Sequence, residues 1–335
     1  MKKIIFFISA IFTIISFTAC KDKKNGLNDK PVTLVMAESN PDDSISAWID
    51  KAFAEKASEL SHGTITINLH TGGILGDNTS VMKVMTQPKP EIHLARISPA
   101  ALVTYGCDKH ELLDIPYTFV NRAHFWNFAL SDTAQVILNE PYEKNIGVKG
   151  LFFAEEGFRH FFSTSELKGV ADFKGEKIRN AGNSIMKGII QSLHGEPVSI
   201  SFSELYSSLQ TGIVDIAEQP IANYLSNHFN KIAPYMILDG HQLGVTEVVI
   251  SADAWKSLTE YQQKALIEAG KYAGEYCKKV AEEAENKSRL TLKSEGTHFV
   301  EVTDKSEWQK ACADIIATSS QAYPELYKEI TDFAK

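Results

Sequence analysis

Short apolar runs alternate with longer amphipathic stretches in the first part of the chain. Val32 to Ala37 has the pattern of a buried strand, and Asp42 to Leu60 carries apolar residues at helical spacing. Thr64 to Leu69 and Ile92 to Ala95 again have strand character, and another helix is expected to begin at Ser98. This β-α-β-α-β order predicts a parallel sheet with right-handed crossovers.

The rest of the chain predicts a second set of elements around a different sheet. Short apolar runs predict strands at 148–153, 158–163, 176–179, 214–217 and 243–251. Amphipathic stretches predict helices at 122–138, 184–193 and 203–210, and one more that begins at Pro220. The segment from Glu155 to Gly157 is expected to be a loop. Thr259 to Lys293 lacks proline and predicts one unusually long helix. The predicted fold class is α/β.

The first twenty residues have the pattern of an export signal. Lys2 and Lys3 precede an apolar stretch, Ile4 to Phe17, which is too short to span a bilayer and has the length of a signal-peptide core. The stretch leads into Thr-Ala-Cys20, which resembles a lipobox; an ordinary signal peptide with a chance cysteine is the alternative. Residues 21–31 are polar and are expected to form a flexible tether. We therefore predict an exported protein that is lipid-anchored at Cys20.

Charge and length limit the classes of function. The chain has 335 residues and a net charge of −8, so it is long enough for two domains but carries no electrostatic footprint for nucleic acid. If its ligand is an anion, a local cluster of arginines must overcome the overall negative field. No G-x-S-x-G, H-E-x-x-H, P-loop or G-x-G-x-x-G signature is present, so no motif points to one of these catalytic chemistries.

The cysteines give no sign of a metal or redox centre. Once Cys20 is assigned to the lipid, Cys107, Cys277 and Cys312 remain, and an odd number cannot pair completely. We assign none of the three to a Cys-x-x-Cys or Cys/His metal spacing. They are expected to be structural or free with at most one disulfide, and neither a metal nor a cofactor is expected.

Arginines at strand ends are the strongest chemical signal. Arg179 ends the strand 176–179 and precedes a polar turn that leads through Asn183 into a helix. A guanidinium group recognises carboxylate through a planar fork and stays charged, and ligands of open α/β sheets bind outside the carboxyl ends of strands. Backbone N–H groups at the start of the following helix would add affinity for an anion. A surface salt bridge is the alternative role for Arg179.

Three segments carry a resemblance to a known family. EEGFRHFF (155–162), LKGVADFKGEKIRNAGN (167–183) and FSELYSSLQTGIVDIAEQP (202–220) resemble, in this order, the solute-binding receptors of TRAP transporters, the DctP family. The resemblance extends from Val32 to the C-terminal helix. It implies a two-lobed, class II-like periplasmic-binding-protein fold in which each lobe is a sheet flanked by helices and one long helix spans both. Lobe I is expected at 32–155 plus 244–283, and lobe II at 156–243 plus 284–335.

The resemblance also implies roles for individual residues. It makes Arg179 the clamp for the carboxylate of a small organic acid, brings Arg159 close to that carboxylate, and makes Arg96 a residue of the pocket wall. Phe202 corresponds to an aromatic residue that packs on the ligand or on the arginine, and His241 to a polar contact beside the hinge. Plain core packing and a structural histidine are the respective alternatives.

Other polar residues are expected near the cleft. Glu38 and Asn78 match loop positions that face it from lobe I, although both could simply be caps. The usual family turn reads V-D-G-Q-E-N-P, whereas this chain has VDIAEQP at 214–220. Gln219 therefore replaces the asparagine that contacts the ligand, and its longer side chain should change the shape of the pocket. Glu155 and Glu218 join Glu38 and Gln219 as groups suited to hydroxyls.

The expected function is a monomeric receptor that closes on an organic acid by hinge motion and delivers it to a two-subunit TRAP permease. A sugar acid such as glucuronate or galacturonate is favoured as the ligand. A C4-dicarboxylate is the alternative, because Arg96 would supply a second cationic site. Two other classes stay open: an exported enzyme that acts on acidic sugars, and a surface adhesin or ligand sensor.

Overall fold

The computed structural model describes residues 29–335, so the signal segment, Cys20 and most of the expected tether lie outside the described residues. The described chain is a mixed α/β structure. Its strands are β1 Val32–Ala37, β2 Ile65–His70, β3 Leu94–Ile97, β4 Val148–Ser163, β5 Lys177–Asn180, β6 Glu196–Ser199, β7 Ile216–Pro220, β8 Tyr235–Ser251 and β9 His298–Glu301.

Helices precede and follow most strands along the chain. They are α1 Ile45–Leu60, α2 Asn78–Met85, α3 Pro99–Val103, α4 Glu111–Asp114, α5 Arg122–Ala129, α6 Asp132–Leu138, α7 Glu140–Glu143, α8 Ser184–Ser192, α9 Leu205–Gln210, α10 Ile221–Ser226, α11 Ala252–Ser257, α12 Glu260–Ser294, α13 Ser306–Ala311, α14 Ala313–Ser320 and α15 Pro324–Asp332. Within residues 29–335, no helix is both long and apolar enough to cross a membrane.

The sheet confirms the predicted opening and joins the two halves of the fold. Its strand order is β2-β1-β3-β8-β4-β7-β5-β6, with β9 beside β8. The pairings of β1 with β2 and with β3 are parallel, as the β-α-β-α-β pattern predicts. Beyond them β8 runs antiparallel to β3 and to β4, and β4 continues the sheet into the second half through β7. The second half is therefore not a separate sheet.

The two long strands correct the prediction for this region. The expected strands 148–153 and 158–163 are one strand, β4, and the expected strand 243–251 begins earlier, as β8 at Tyr235. The ladder between β4 and β8 shifts register between Glu155 and Phe158, where Gly157 has φ of 102°. Such a bulge lets the chain bend without ending the strand, which is why a sequence that has loop character continues as a strand.

The long helix is confirmed almost to the residue. Helix α12 has 35 residues, and Thr259 caps it by accepting a hydrogen bond from the Gln262 backbone N–H. At 1.5 Å per residue it is about 50 Å long. Ala269, Ala273 and Cys277 belong to the larger hydrophobic cluster, which includes residues of β1 and β4. Leu292, near the end of the helix, belongs to a second cluster around Phe162, so one helix packs against both hydrophobic clusters.

Three smaller predictions need correction. The expected helix 122–138 is split into α5 and α6, because the Ser131 side chain accepts from the Ala134 backbone N–H and starts a new helix. The expected strand 214–217 is shifted to β7, so Glu218 and Gln219 lie in a strand and not in a turn. Strand β9 and the separate helices α13 and α14 have no counterpart among the predicted elements.

Candidate ligand-binding site

Arg179 lies near the end of β5, and most of its N–H donors have no partner among the described residues. The residue is 4% exposed, and its Nε donates to the Ile200 carbonyl at 3.0 Å. Its Nη1 lies 4.0 Å from Glu218 Oε1, too far for a hydrogen bond. Neither terminal nitrogen donates to another described residue. Burial lowers the pKa of Arg179 to about 10, partly offset by Glu218, so the group stays charged near neutral pH with two terminal nitrogens to spare.

Arg159 is paired with a neighbouring carboxylate. Its Nε and Nη2 both donate to the Glu218 carboxylate, the second at 3.0 Å, which forms the fork-shaped pair typical of arginine and carboxylate. Glu218 is 4% exposed and reaches Arg159 because β7 pairs with β4 beside it. The structure thus brings Arg159, Glu218 and Arg179 together, with Glu218 between the two guanidinium groups.

His241 lies on the other side of Glu218. Its Nδ1 is 2.6 Å from Asp239 Oδ2, and its ring stacks on Phe161 with centroids 4.4 Å apart. Its Nε2 is buried without a hydrogen-bond partner among the described residues and lies 3.9 Å from Glu218 Oε2. The carboxylate of Asp239 therefore favours the tautomer with the proton on Nδ1, leaving Nε2 as an acceptor.

Gln219 and Phe202 are two further residues that the sequence predicted for the ligand site. Gln219 is 3% exposed, and its amide forms no hydrogen bond to a described residue. Phe202 is half-buried and packs edge-on against Phe229, with ring centroids 6.2 Å apart. Phe202 thus belongs at the margin of the smaller hydrophobic cluster, and its ring is only partly consumed by core packing.

Asn183 joins the two halves of the molecule. Its Nδ2 donates to Asp114 Oδ2 at 3.1 Å, and its Oδ1 accepts from the backbone N–H groups of Ile185 and Met186. Those N–H groups are therefore not available to an anion, which corrects the expectation that the start of α8 adds anion affinity. Burial raises the pKa of Asp114 to about 7, against the opposing influence of Arg159.

Arg96 belongs to a separate, buried ion network. Its Nη2 pairs with Asp50 Oδ1, and its Nε lies 3.2 Å from Glu38 Oε2. Its Nη1 donates to Thr246 Oγ1 at 2.8 Å. Burial and then the charge of Asp50 raise the pKa of Glu38, while Arg96 opposes the shift. The structure thus surrounds Arg96 with partners, and nothing brings it together with Arg179.

The remaining predicted residues have structural partners. Glu38 Oε1 accepts from the backbone and side chain of Asn40, at 2.6 and 2.9 Å. Asn78 is the first residue of α2 and accepts from the Ser98 N–H at 2.7 Å, while Asp77 is the cap of that helix. Glu155 is a buried strand residue bound to Arg122 at 2.8 Å, so the expectation of a solvated loop is wrong.

Two residues beside the arginines were missed. Asp114 holds Asn183, and Asp239 orients His241, yet both come from segments with no unusual motif. For Asp239 a local signal exists, since it lies two residues before His241. Asp114 carries no such signal, because its partner is distant in sequence and only the fold brings the two together.

The fold and this arginine-centred site define a two-lobed α/β binding protein. The chain belongs to the DctP family, the bacterial extracellular solute-binding proteins of family 7, whose model matches residues 36–322. It is a solute-binding receptor of the TRAP type, the class that binds small-molecule ligands and works with a membrane permease.

Relatives and solved structures agree with this assignment. A solute-binding protein of Sulfitobacter sp. (strain NAS-14.1) is 27% identical over 226 residues, 68% of each chain. The C4-dicarboxylate-binding periplasmic protein DctP of Rhodobacter capsulatus is 22% identical over 269 residues, 78% of this chain and 79% of the relative. A TRAP periplasmic solute binding protein from Pseudomonas putida F1, solved with bound D-glucuronate, superposes with a TM-score of 0.85 at 24% identity, over 89% of this chain and 96% of that one. At that identity the likeness shows the fold alone.

Proposed function

We propose that this receptor binds a sugar acid, such as glucuronate or galacturonate, by its single carboxylate. The observation that carries the proposal is the Arg179 guanidinium, which is buried and charged but donates only one hydrogen bond within residues 29–335. Its remaining N–H groups are available to a ligand that supplies acceptors. A carboxylate accepts from two parallel N–H groups and fits the two terminal nitrogens of Arg179.

The charge around Arg179 supports one carboxylate and not two. Glu218 already neutralises Arg159, so the two arginines and the glutamate together leave one positive charge. Arg96, which a second carboxylate would need, is paired with Asp50 and Glu38. A C4-dicarboxylate would therefore bring one negative charge without a partner. It is the second candidate only because the Rhodobacter capsulatus relative is a C4-dicarboxylate-binding protein.

Neutral polar groups near the arginines suit the hydroxyls of a sugar. The Gln219 amide forms no hydrogen bond to a residue within 29–335, and His241 Nε2 is buried without a partner in the same range. The half-buried ring of Phe202 offers an apolar face to the C–H groups of a sugar ring. We propose that these three side chains select the ligand after Arg179 has bound its carboxylate.

A thermal-shift screen of residues 29–335 tests the proposal. The ligands are uronates, aldonates, C4-dicarboxylates, 2-oxo acids and sialic acid. A ligand at 100 times its Kd adds about 2.7 kcal/mol to the free energy of unfolding. We expect uronates to raise Tm and succinate or malate to have little effect. Arg179→Ala should abolish the shift, and Arg179→Lys should weaken it, because an ammonium keeps the charge but loses the fork.

The control is Arg289→Ala, which removes a surface arginine paired with Glu301 and should leave the ligand response intact. If C4-dicarboxylates raise Tm and uronates do not, and Arg179→Ala loses that response, Arg179 is still the clamp but the ligand is a dicarboxylate. An unchanged uronate response in Arg179→Ala would refute the clamp itself.

We further propose that the receptor is exported, anchored at Cys20, monomeric, and paired with a two-subunit TRAP permease. The support is the lipobox-like sequence before Cys20 and membership of a periplasmic solute-binding family. The substitution Cys20→Ala should move the protein from the membrane to the soluble extracytoplasmic fraction, which fractionation of the expressing cells would show. Recovery of both forms in the same fraction would contradict the anchor.

A further inference from the structure

A buried cluster of three metal-type side chains lies in lobe I, apart from the arginines of the ligand site. Ligand atoms of Cys107, His110 and Glu140 all lie within 4.8 Å of one another. Cys107 and His110 stand at the two ends of a single 3-10 turn, and Glu140 is the first residue of α7. Cys107 and His110 thus have a Cys-x-x-His spacing, which corrects the expectation that no cysteine lies in a Cys/His metal spacing.

The orientation of His110 matches that of a metal-binding imidazole. Its Nε2 is 2.8 Å from Glu247 Oε2 on β8, and its Nδ1 is 3.1 Å from Glu140 Oε2. Metal-bound histidines almost always donate their other ring N–H to a carboxylate or carbonyl. Glu247 fills that position, which leaves Nδ1 directed at the Glu140 carboxylate and available as a ligand. The second oxygen of Glu247, Oε1, is buried without a hydrogen-bond partner in the described chain.

The chemistry of the donors narrows the class of ion. One thiolate sulfur, one imidazole nitrogen and one carboxylate oxygen form the mixed set that suits zinc, whereas magnesium and calcium prefer oxygen alone. Such a site needs a thiolate and a neutral imidazole, so binding releases protons.

Lys144 lies on the solvent side of the cluster. Lys144 Nζ lies 3.2 Å from Glu140 Oε1, and 40% of its side chain is exposed. Its ammonium covers the carboxylate from the solvent side, and it also donates to the Gly106 carbonyl at 2.5 Å. Lys144 can turn outwards into solvent, whereas Cys107 and His110 are held in the core at 0% exposure.

We propose that Cys107, His110 and Glu140 bind a zinc-type divalent cation, with Glu247 orienting His110. Three protein ligands leave a fourth position for water or for the second Glu140 oxygen. The ion would tie the 3-10 turn before α4 to α7 and, through Glu247, to β8. Metal binding would therefore stabilise lobe I.

Cobalt(II) is the probe, because a thiolate bound to it gives a near-ultraviolet charge-transfer band and a tetrahedral ion gives intense visible bands. Untagged, metal-depleted protein (residues 29–335) is titrated with Co²⁺ in one arm and refolded from urea with Co²⁺ in a second arm, so that burial cannot block access. We expect about one ion per chain, displaced by Zn²⁺, with release of protons on binding.

The variants separate this site from adventitious binding. Cys107→Ser should abolish the charge-transfer band and His110→Gln should weaken cobalt binding at least about tenfold. Cys312→Ser, which changes another buried free cysteine, should keep the full spectrum. Absence of the band in both arms, or its persistence in Cys107→Ser, would overturn the proposal. Neither result bears on uronate binding at Arg179, which is measured separately.

Discussion

Replacement of Arg96 by methionine tests whether the buried ion network is structural. The side chains of Arg96, Asp50 and Glu38 are 3%, 0% and 1% exposed, so solvent does not screen them. Arg96→Met keeps most of the volume and removes the only cation that contacts the two carboxylates among the described residues. Loss of one partner from a buried ion pair costs about 3–5 kcal/mol. We expect Arg96→Met to lower the free energy of unfolding by that amount.

The loss of stability in Arg96→Met should become larger as pH rises. Burial already raises the pKa values of Glu38 and Asp50, and removal of Arg96 takes away the main opposing influence. The folded variant then binds more protons than the unfolded chain, so its stability falls as pH rises above the unfolded carboxyl pKa of about 4. The difference from the parent protein should be smaller at about pH 5 than at about pH 8.

Urea unfolding followed by circular dichroism and tryptophan fluorescence measures both effects. Arg289→Met is the matched control, since its pair with Glu301 has side-chain exposures of 41% and 58% and should contribute less than about 1 kcal/mol. Adding Asp50→Asn to Arg96→Met should recover part of the loss. The reasoning fails if Arg96→Met resembles the surface control, or if its loss is the same at both pH values.

Three further changes follow from the structure. Gly150→Ala should destabilise the fold by at least about 1–3 kcal/mol in urea unfolding, because a Cβ there collides with the Glu247 carboxylate, whereas Gly169→Ala meets no atom within 4 Å and should be near neutral. Tyr224→Phe leaves the buried Ala233 carbonyl without its 2.7 Å hydrogen bond and should cost about 1–2 kcal/mol by the same assay. Asp114 has a pKa raised to about 7, so its contribution to stability declines as pH rises from about 4 to 7, and Asp114→Asn should flatten that slope in a series of Tm measurements.

The sequence pattern predicted correctly those elements whose start, end and interior are determined by their own residues. Helix α12 was predicted to within a residue, because its cap at Thr259 and its proline-free interior are local signals. The single strand β4 was not predictable in the same way. Glu155 and Glu156 have loop character in the sequence, and only their partners Arg122 and Ser46, from distant segments, make them compatible with a buried strand.

The candidate site shows the same division. Arg179 and Arg159 could be found from their positions beside short strands and from the family resemblance. Arg159 pairs with Glu218, and Arg96 pairs with Asp50. Both pairs form between residues distant in sequence, so the local sequence could not predict them. The distinction matters, because an arginine already paired inside the protein cannot be counted as free charge for a ligand.

The long strands β4 and β8 also decide how the molecule can be assembled. Their ladder runs from the pair Val148 and Ser251 in one lobe to the pair Ser163 and Tyr235 in the other. Each lobe is completed only when two segments far apart in sequence meet, and such non-local pairing slows folding. Neither lobe has a complete sheet of its own that could form first as an independent unit. We therefore expect a late, cooperative folding step, and a chain truncated before Tyr235 should leave both lobes unfinished, not one intact.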